Sequence, residues 1–283
     1  MTARPDDAGR PDPTQGSRPP LRIRPPAVAG SFYPAEPDAV RQAIRHAFAD
    51  AHTPPVGAPV PKALIVPHAG YIYSGPIAAS GYLRLTPGRH TIRRVVLLGP
   101  SHHVPLDGMA LSSADALATP LGLVPVDVEA REVARRMPSV CVDDSAHAWE
   151  HSLEVQLPFL QTVLATFEVL PVVVGRATDT DVAALLDRLW GGSETVIVVS
   201  TDLSHYHPYA EALALDRRTV AAIAALDPLA IGDRDACGAY PLRGLLTAAA
   251  DRALPTAVLD LRSSGDTAGD TERVVGYGAV AIG

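Results

Sequence analysis

Four continuous apolar segments place the strongest constraint on how this chain can fold. They are ALIVP (63–67), RVVLLGP (94–100), FEVLPVVVG (167–175) and TVIVVS (195–200). Short runs of Val, Ile and Leu without polar alternation are typical of strands buried on both faces, as in a parallel sheet covered by helices. We therefore predict a single α/β domain with a central, largely parallel or mixed sheet and helices on both faces.

Amphipathic segments separate these strands and complete the α/β pattern. The predicted helices cover residues 38–50, 75–85, 127–137, 151–165, 178–190, 209–226 and 241–252. In the second helix we expect Ser74 at the N-cap and Pro76 in the first turn. Two last strands, 256–264 and 273–283, are expected to add an antiparallel edge to the sheet.

The N-terminal segment differs in composition from the rest of the chain. Residues 1–22 are rich in Pro, Gly, Asp and Arg and hold almost no apolar side chains, so we predict a disordered tail before a domain that spans 23–283. The segment lacks the basic and then apolar pattern of a signal peptide, and no apolar run reaches the roughly 18 residues of a membrane helix. A cytoplasmic location is the expectation.

Charge and motifs exclude several functions. The net charge of −7 argues against nucleic acid and anionic membranes as partners, because both bind basic surfaces. The chain has no GxGxxG, GxxxxGK[ST] or GxSxG motif, which argues against the common nucleotide sites and against the α/β-hydrolases. Cys141 and Cys237 are expected to remain free thiols.

Polar residues follow three of the four predicted buried strands. His68 comes just after the first strand, His102 after the second, and Asp202 with His205 after the fourth. Ligands of open α/β sheets bind beyond the carboxyl ends of the strands, so these side chains are expected to meet at one edge. A single histidine at a strand end is more often an ordinary loop residue, but three such ends in one chain favour a shared site.

Two further motifs allow more than one interpretation. Cys237 precedes a predicted helix N-terminus, which favours the thiolate form that binds metal, although a free cysteine is more often a small buried apolar residue. His151 and Glu154 lie three residues apart on one helix face, as a metal-binding pair or as part of a capping arrangement, and we favour capping. Spacing assigns no role to His103.

Six segments, taken in chain order, resemble the Memo family, whose prokaryotic members are called AmmeMemoRadiSam system protein B. They are AGSFYP (29–34), PHAGYIYSG (67–75), GPSHHVPL (99–106), HSLEVQLPFL (151–160), STDLSHY (200–206) and CGAYP (237–241). The resemblance extends from about residue 24 to the C-terminus. It implies a fold similar to the class III extradiol (LigB-type) dioxygenases, which use non-haem iron.

The resemblance also implies a set of site residues. His68, His102 and Cys237 match the positions of the family's metal ligands, with iron or copper as the metal. Asp202 and His205 match positions in the same pocket, where they would orient ligands and transfer protons as catalytic residues. A thiolate in place of the dioxygenase carboxylate is a softer ligand, so the likeness in fold does not carry the dioxygenase reaction with it.

These expectations lead to two hypotheses of different class. The first is a metal-dependent oxidoreductase, dioxygenase-like, whose small-molecule or peptide ligand is unknown. The second is a non-catalytic binding or accessory protein that works with radical SAM and AMMECR-type partners, a partnership implied by the family name. A zinc hydrolase that uses His205 as base shares the same ligand types and stays open.

Overall fold

Strands and helices alternate along residues 20–283, the part of the chain that the computed structural model describes. Residues 1–19, most of the predicted tail, lie outside the described residues. The strands are β1 (Ile23–Arg24), β2 (Ala63–Val66), β3 (Arg94–Pro100), β4 (Met109–Leu111), β5 (Ala116–Thr119), β6 (Gly122–Pro125), β7 (Val140–Val142), β8 (Glu168–Val174), β9 (Thr195–Ser200), β10 (His205–His207), β11 (Thr256–Ser263) and β12 (Val274–Ile282). The α-helices are α1 (Pro37–Ala49), α2 (Tyr71–Tyr82), α3 (Val128–Ala134), α4 (Asp144–Ala148), α5 (His151–Glu154), α6 (Leu157–Val163), α7 (Asp179–Leu189), α8 (Tyr209–Ala224) and α9 (Ala239–Ala250).

The four predicted buried strands form the parallel centre of the main sheet, in the order β2-β9-β3-β8. On one side β12 pairs antiparallel with β2, and β11 pairs antiparallel with β12, which confirms the predicted antiparallel edge. On the other side β4 pairs antiparallel with β8, and β7 lies parallel to β4. The sheet is therefore mixed around a parallel centre.

Both faces of this sheet are covered, as the continuous apolar runs predict. In β3 the side chains of Val96 and Leu98 pack into a core with residues of α3, α7, α8 and α9. The alternate side chains, Val95 and Leu97, pack on the other face with residues of α1, α2 and α6. Because neighbouring residues of a strand point to opposite faces, a strand buried on both sides must be apolar at every position. The predicted fold class is confirmed.

Two predicted helices differ from those observed. The second begins at Tyr71 rather than at residue 75. The backbone N–H of Tyr71 donates a hydrogen bond to the carbonyl of Phe32 at 2.8 Å. Ser74, the expected N-cap, is instead buried inside the helix, and Pro76, expected in the first turn, also lies inside it. The helix predicted at 151–165 is divided into α5 and α6, and Pro158, which has no N–H to continue a helix, stands in the first turn of α6. Within residues 20–283 no helix combines the length and hydrophobicity needed to cross a bilayer.

Several short strands have no counterpart in the prediction. β1, β5 and β6 form a separate small sheet, and β4, β7 and β10 extend the main one. Each of these strands has two to four residues. A segment of that length shows too little alternation to be separated from a loop by its sequence, and its pairing partners decide its conformation.

α7 and α9 approach each other closely on one face of the sheet, and Gly244 of α9 makes this possible. A Cβ atom at Gly244 would lie 2.3 Å from Cβ of Val182 and 3.3 Å from the backbone N of Ala183, both in α7. The first distance is far below the separation of non-bonded carbon atoms. The spacing of the two helices therefore depends on the absence of a side chain at this position.

Replacing Gly244 by alanine should lower the free energy of unfolding by about 1–3 kcal/mol, because the added methyl group overpacks the interface. This is expected although alanine is favoured over glycine in a helix by about 1 kcal/mol. Urea unfolding measures the change. The control is Gly232→Ala, where the atom nearest to the added Cβ is a carboxylate oxygen of Asp235 at 3.1 Å. Its free energy of unfolding should change by no more than about 0.5 kcal/mol. A Gly244→Ala variant as stable as the control would contradict the proposed constraint.

Candidate metal centre

The carboxyl ends of three adjacent parallel strands bring the predicted polar residues together. His68 lies two residues beyond β2, His102 two residues beyond β3, and Asp202 two residues beyond β9. The ring centroids of His68 and His102 are 5.2 Å apart. All three residues, together with His205, line one cavity at the predicted edge of the sheet.

His151 joins His68 and His102 in a compact group of imidazoles. One ligand nitrogen from each ring lies within 4.8 Å of the other two, and the rings of His102 and His151 stack with centroids 4.5 Å apart. The N-cap of α5 is Glu150, whose carboxylate accepts the N–H of Ser152 at 2.9 Å. The interpretation of His151 as a capping residue is therefore wrong, because the residue before it caps the helix and its own ring faces the other histidines.

The position of His151 depends on a glycine in the neighbouring strand. A Cβ atom at Gly99 of β3 would lie 2.5 Å from Oγ of Ser152 and 2.9 Å from Cδ2 of Leu153. The absence of a side chain at Gly99 lets the single turn of α5 lie directly against the end of β3. His151 is thereby placed beside His102, which follows the same strand.

Hydrogen bonds to Ser200 determine which nitrogen of His68 is free. The Ser200 hydroxyl donates to the carbonyl of Ser152 at 2.6 Å and accepts from Nε2 of Gln156 at 2.8 Å. Its one proton is thus committed, so Nδ1 of His68, 2.9 Å away, is the donor in the remaining hydrogen bond. Nε2 of His68 therefore carries the lone pair and faces Sγ of Cys237, 3.2 Å away.

Glu150 orients His102 in the same way. Its carboxylate accepts from Nδ1 of His102 at 2.8 Å and from the backbone N–H of His102 at 2.7 Å. Burial alone would raise the pKa of Glu150, but these hydrogen bonds hold it well below its ordinary range. The carboxylate is therefore ionised, Nδ1 of His102 carries the proton, and Nε2 is free. A carboxylate behind a histidine is the usual arrangement that orients metal-binding imidazoles.

The surroundings keep the imidazoles in the neutral form that binds metals. Burial, followed by the proximity of His102 and His151, lowers the pKa of His68 well below its ordinary value. Burial and His102 lower the pKa of His151 to about 4. Both rings are therefore uncharged at neutral pH, and each presents a lone pair without first losing a proton.

Cys237 lies beside this group but outside its compact set. Its Sγ is 3.2 Å from Nε2 of His68 and 3.2 Å from the backbone N of Asp202. Burial, reinforced by the Asp202 carboxyl group, raises the pKa of the thiol to about 12. The expectation that the helix N-terminus favours the thiolate is therefore wrong for the metal-free chain, because the cost of burying a charge outweighs the dipole of α9.

Asp202 and His205 occupy the same cavity with different roles in its hydrogen bonding. Oδ1 of Asp202 accepts the backbone N–H of His68 at 2.7 Å, and burial raises the pKa of this carboxyl to about 7. Nδ1 of His205 donates to the carbonyl of Leu203 at 2.7 Å, which leaves Nε2 free. Burial lowers the pKa of His205. Asp202 can therefore exchange a proton near neutral pH, and the uncharged His205 offers Nε2 as a proton acceptor.

Other residues from the sequence analysis lie elsewhere. Glu154 does not line the cavity, and its carboxylate accepts the backbone N–H groups of Ala27 and Val28 at 2.7 Å and 3.0 Å. Cys141 is exposed on β7, and both cysteines are free, as predicted. The ring of His103 is 6.1 Å from that of His151 and does not line the cavity.

The cavity is large enough for an organic ligand beside the histidines. Its volume is about 840 Å³, and Phe32, Tyr73 and Tyr277 contribute aromatic walls. The ring of Phe32 contacts that of His151, with centroids 4.5 Å apart. Polar groups at the floor and aromatic side chains in the walls are usual in small-molecule sites.

Comparison with known proteins identifies the family. The family described as Memo-like protein matches residues 24–281. This chain belongs to the Memo family. A MEMO1 family protein of Aquifex aeolicus is 37% identical over 269 residues, covering 91% of this chain and 98% of the relative. A MEMO1 family protein of Methanopyrus kandleri is 39% identical over 285 residues, covering 92% and 98%.

One solved structure also resembles this Memo-family chain, that of an uncharacterized protein from Escherichia coli K12. The superposition covers 78% of this chain and 99% of the other chain, with 15% sequence identity and a TM-score of 0.49. A score of this size establishes no shared fold. The likeness to the LigB-type dioxygenases therefore stays a prediction.

Sequence reasoning missed the residues that orient the histidines of this Memo-family chain. Ser200 is the last residue of an apolar strand as well as the first of the segment STDLSHY, and Glu150 lies just before the segment HSLEVQLPFL, so the sequence assigned a role to neither. The adjacency of Glu150 to His151 is the one signal that could have indicated a carboxylate at the site. Its partner His102 lies 48 positions away and could not be paired with it from spacing.

Replacing Glu150 by glutamine should weaken metal binding about 10- to 100-fold, because the amide orients His102 without the negative charge that makes Nδ1 a firm donor. The protein is first treated with a chelator to remove metal and is then titrated with zinc or iron to measure the affinity. Circular dichroism checks the fold. In the control, Glu132→Gln removes an exposed carboxylate that pairs with Arg135, and the metal affinity should be unaffected. Equal affinities for the two variants would show that Glu150 has no part in orienting the site.

Proposed function

We propose that this Memo-family protein is a metal-dependent oxidoreductase that holds one iron or copper ion with His68, His102, His151 and Cys237. The observation that carries the proposal is the meeting of three imidazoles, each with a ligand nitrogen within 4.8 Å of the others. Family membership, which rests on the match over residues 24–281, supports a shared site of this kind.

The donor atoms fit such an ion in number, type and orientation. In His68 and His102 the Nδ1 atom is engaged in a hydrogen bond to the protein, so Nε2 is the nitrogen that can bind a metal. Metal–nitrogen and metal–sulfur bonds of about 2.0 and 2.3 Å allow two ligand atoms of one ion to lie about 3.5 Å apart. The 3.2 Å between Nε2 of His68 and Sγ of Cys237 is close to this value. Imidazole and thiolate together favour iron or copper over hard cations such as magnesium.

A bound iron or copper ion would supply one-electron chemistry and open positions for substrate or O₂. The chain supplies the groups around it. Asp202, with a pKa of about 7, can hold or release a proton at neutral pH. His205 presents an uncharged Nε2 to the same cavity and can accept one. We assign these two residues to proton transfer, and Phe32 and Tyr277 form walls of the same cavity.

Alanine in place of His68, His102, His151 or Cys237 should each lower the affinity for iron and copper by more than about 100-fold, beyond the effect expected of an orienting residue. The affinities are measured by anaerobic titration under reducing conditions, with circular dichroism to check folding. His103→Ala is the matched control and should bind as wild type does.

The outcomes separate the candidate functions. Wild-type protein that binds neither iron nor copper would overturn the oxidoreductase and favour an accessory role beside radical SAM and AMMECR-type partners. A firm preference for zinc without O₂ consumption would favour the hydrolase. Full affinity in Cys237→Ala would remove the sulfur from the site, and full affinity in His151→Ala would remove the third imidazole.

The pH dependence of metal binding tests the sulfur independently. Because the pKa of the Cys237 thiol is raised to about 12 in the metal-free chain, binding of the thiolate must release one proton. The affinity should therefore rise about tenfold for each pH unit between about pH 8 and 9.5, above the ordinary histidine pKa of about 6.5. In Cys237→Ala the affinity should be lower and nearly constant over this interval. A flat wild-type profile would exclude thiolate coordination.

A further inference from the structure

The mouth of the cavity carries an arginine seated on an aromatic ring. Arg273 and Tyr206 line the cavity together with the three histidines, and the guanidinium carbon lies 5.2 Å from the centroid of the Tyr206 ring. A guanidinium that stacks on a ring keeps the N–H donors at its edge available. Of the described residues that line the cavity, Arg273 is the only arginine or lysine.

The charge of Arg273 pairs with no acidic side chain in the described part of the chain. Within residues 20–283 its side chain forms neither a salt bridge nor a hydrogen bond, whereas Arg176, Arg243 and Arg252 all pair with aspartates. The neighbouring Asp270, which also lines the cavity, forms no salt bridge with Arg273, and its Oδ1 accepts the backbone N–H groups of Glu272 and Arg273 at 2.9 Å and 3.3 Å. The turn is thereby held in place while the cation itself stays open to the cavity.

Tyr206 is held in a backbone conformation that costs free energy. Its φ is +63°, a left-handed value that is unfavourable for a bulky side chain. It is the extra residue of a β-bulge, since His205 pairs with Val275 and His207 pairs with the adjacent Val274. Its side chain is 63% exposed, so apolar burial does not account for the strain. Bulges and strained residues of this kind are common beside active sites, where they redirect a side chain.

We propose that Arg273, supported by the ring of Tyr206, binds a carboxylate group of the substrate at the mouth of the cavity, so that the enzyme acts on organic acids. This rests on the proposed metal-dependent function, since the metal would engage the other end of the same molecule. The planar fork of a guanidinium matches a carboxylate through two parallel hydrogen bonds. Phe32, Tyr73 and Tyr277 provide aromatic surface for the apolar part of such an acid.

The test compares benzoate with benzamide, which have similar shape and differ in charge, on the full chain as purified and after removal of metal by a chelator. We expect wild type to bind benzoate at least about tenfold more tightly than benzamide in both forms, as measured by NMR titration. Arg273→Gln should weaken benzoate binding about 10- to 100-fold and leave benzamide unchanged, because hydrogen bonds to a charged group are lost. Arg135→Gln, an equal loss of charge on α3's exposed end, should have no effect.

Tyr206 provides a second variant that separates binding from folding. Tyr206→Gly relieves the positive φ, because glycine adopts it without strain, but removes the ring beneath Arg273. Benzoate binding should weaken while the melting temperature stays the same or rises. Tyr206→Phe keeps the ring and should bind benzoate nearly as wild type does.

Several results would overturn this proposal. They are equal binding of benzoate and benzamide, no saturable binding of benzoate, or benzoate affinity that is unchanged in Arg273→Gln. A preference for phenyl phosphate over benzoate would replace the carboxylate by a phosphate and also overturn it. Loss of benzoate binding on chelation, with Arg273→Gln equal to wild type, would place the anion on the metal, which rejects the role of Arg273 but supports the metal site. Absence of metal binding would overturn the proposed function. The comparison of benzoate with benzamide on chelator-treated protein would still test the role of Arg273.

Discussion

The hydroxyl group of Ser200 connects the parts of the molecule on which the site depends. It is fully buried at the end of β9 and contacts His68 beyond β2, the carbonyl of Ser152 in α5, and Gln156 just before α6. One side chain therefore fixes the tautomer of a histidine and joins two strand ends to the helix that carries His151. Every donor and acceptor in this network has a partner, which makes it rigid, and a rigid network is what holds imidazoles at the separation that a metal requires.

The charge balance of the centre follows from the same burial. Uncharged His68 and His151 stand beside an ionised Glu150, a carboxyl group at Asp202 with a pKa of about 7, and a protonated Cys237. A cation entering this group would stabilise the carboxylate form of Asp202 and the thiolate form of Cys237, since an opposite charge nearby favours ionisation. Binding of an ion would therefore be accompanied by the release of protons from these groups.

The sequence made part of this arrangement predictable, for physical reasons. The central strands are apolar at every position because both faces are covered, and His68 and His102 follow strands whose parallel alignment brings their ends together. The place of His151 could not be predicted, because a histidine at the start of a helix serves equally as cap or ligand, and the close approach at Gly99 decides between them. The protonation state of Cys237 was predicted wrongly because local helix geometry was visible in the sequence and burial was not.

The contacts of Glu154 have a consequence for the order in which the centre forms during folding. This residue ends the single turn that carries His151, and it holds the backbone of Ala27 and Val28, which are 127 and 126 positions away in the chain. Tyr33 adds a hydrogen bond over 121 positions. Contacts of such long range must overcome the entropy of closing a large loop and slow the formation of structure. The third imidazole is therefore fixed only when the two distant segments have met. A chain that has formed its central strands alone brings His68 and His102 to one edge of the sheet, but it lacks both His151 and the Glu150 carboxylate that orients His102.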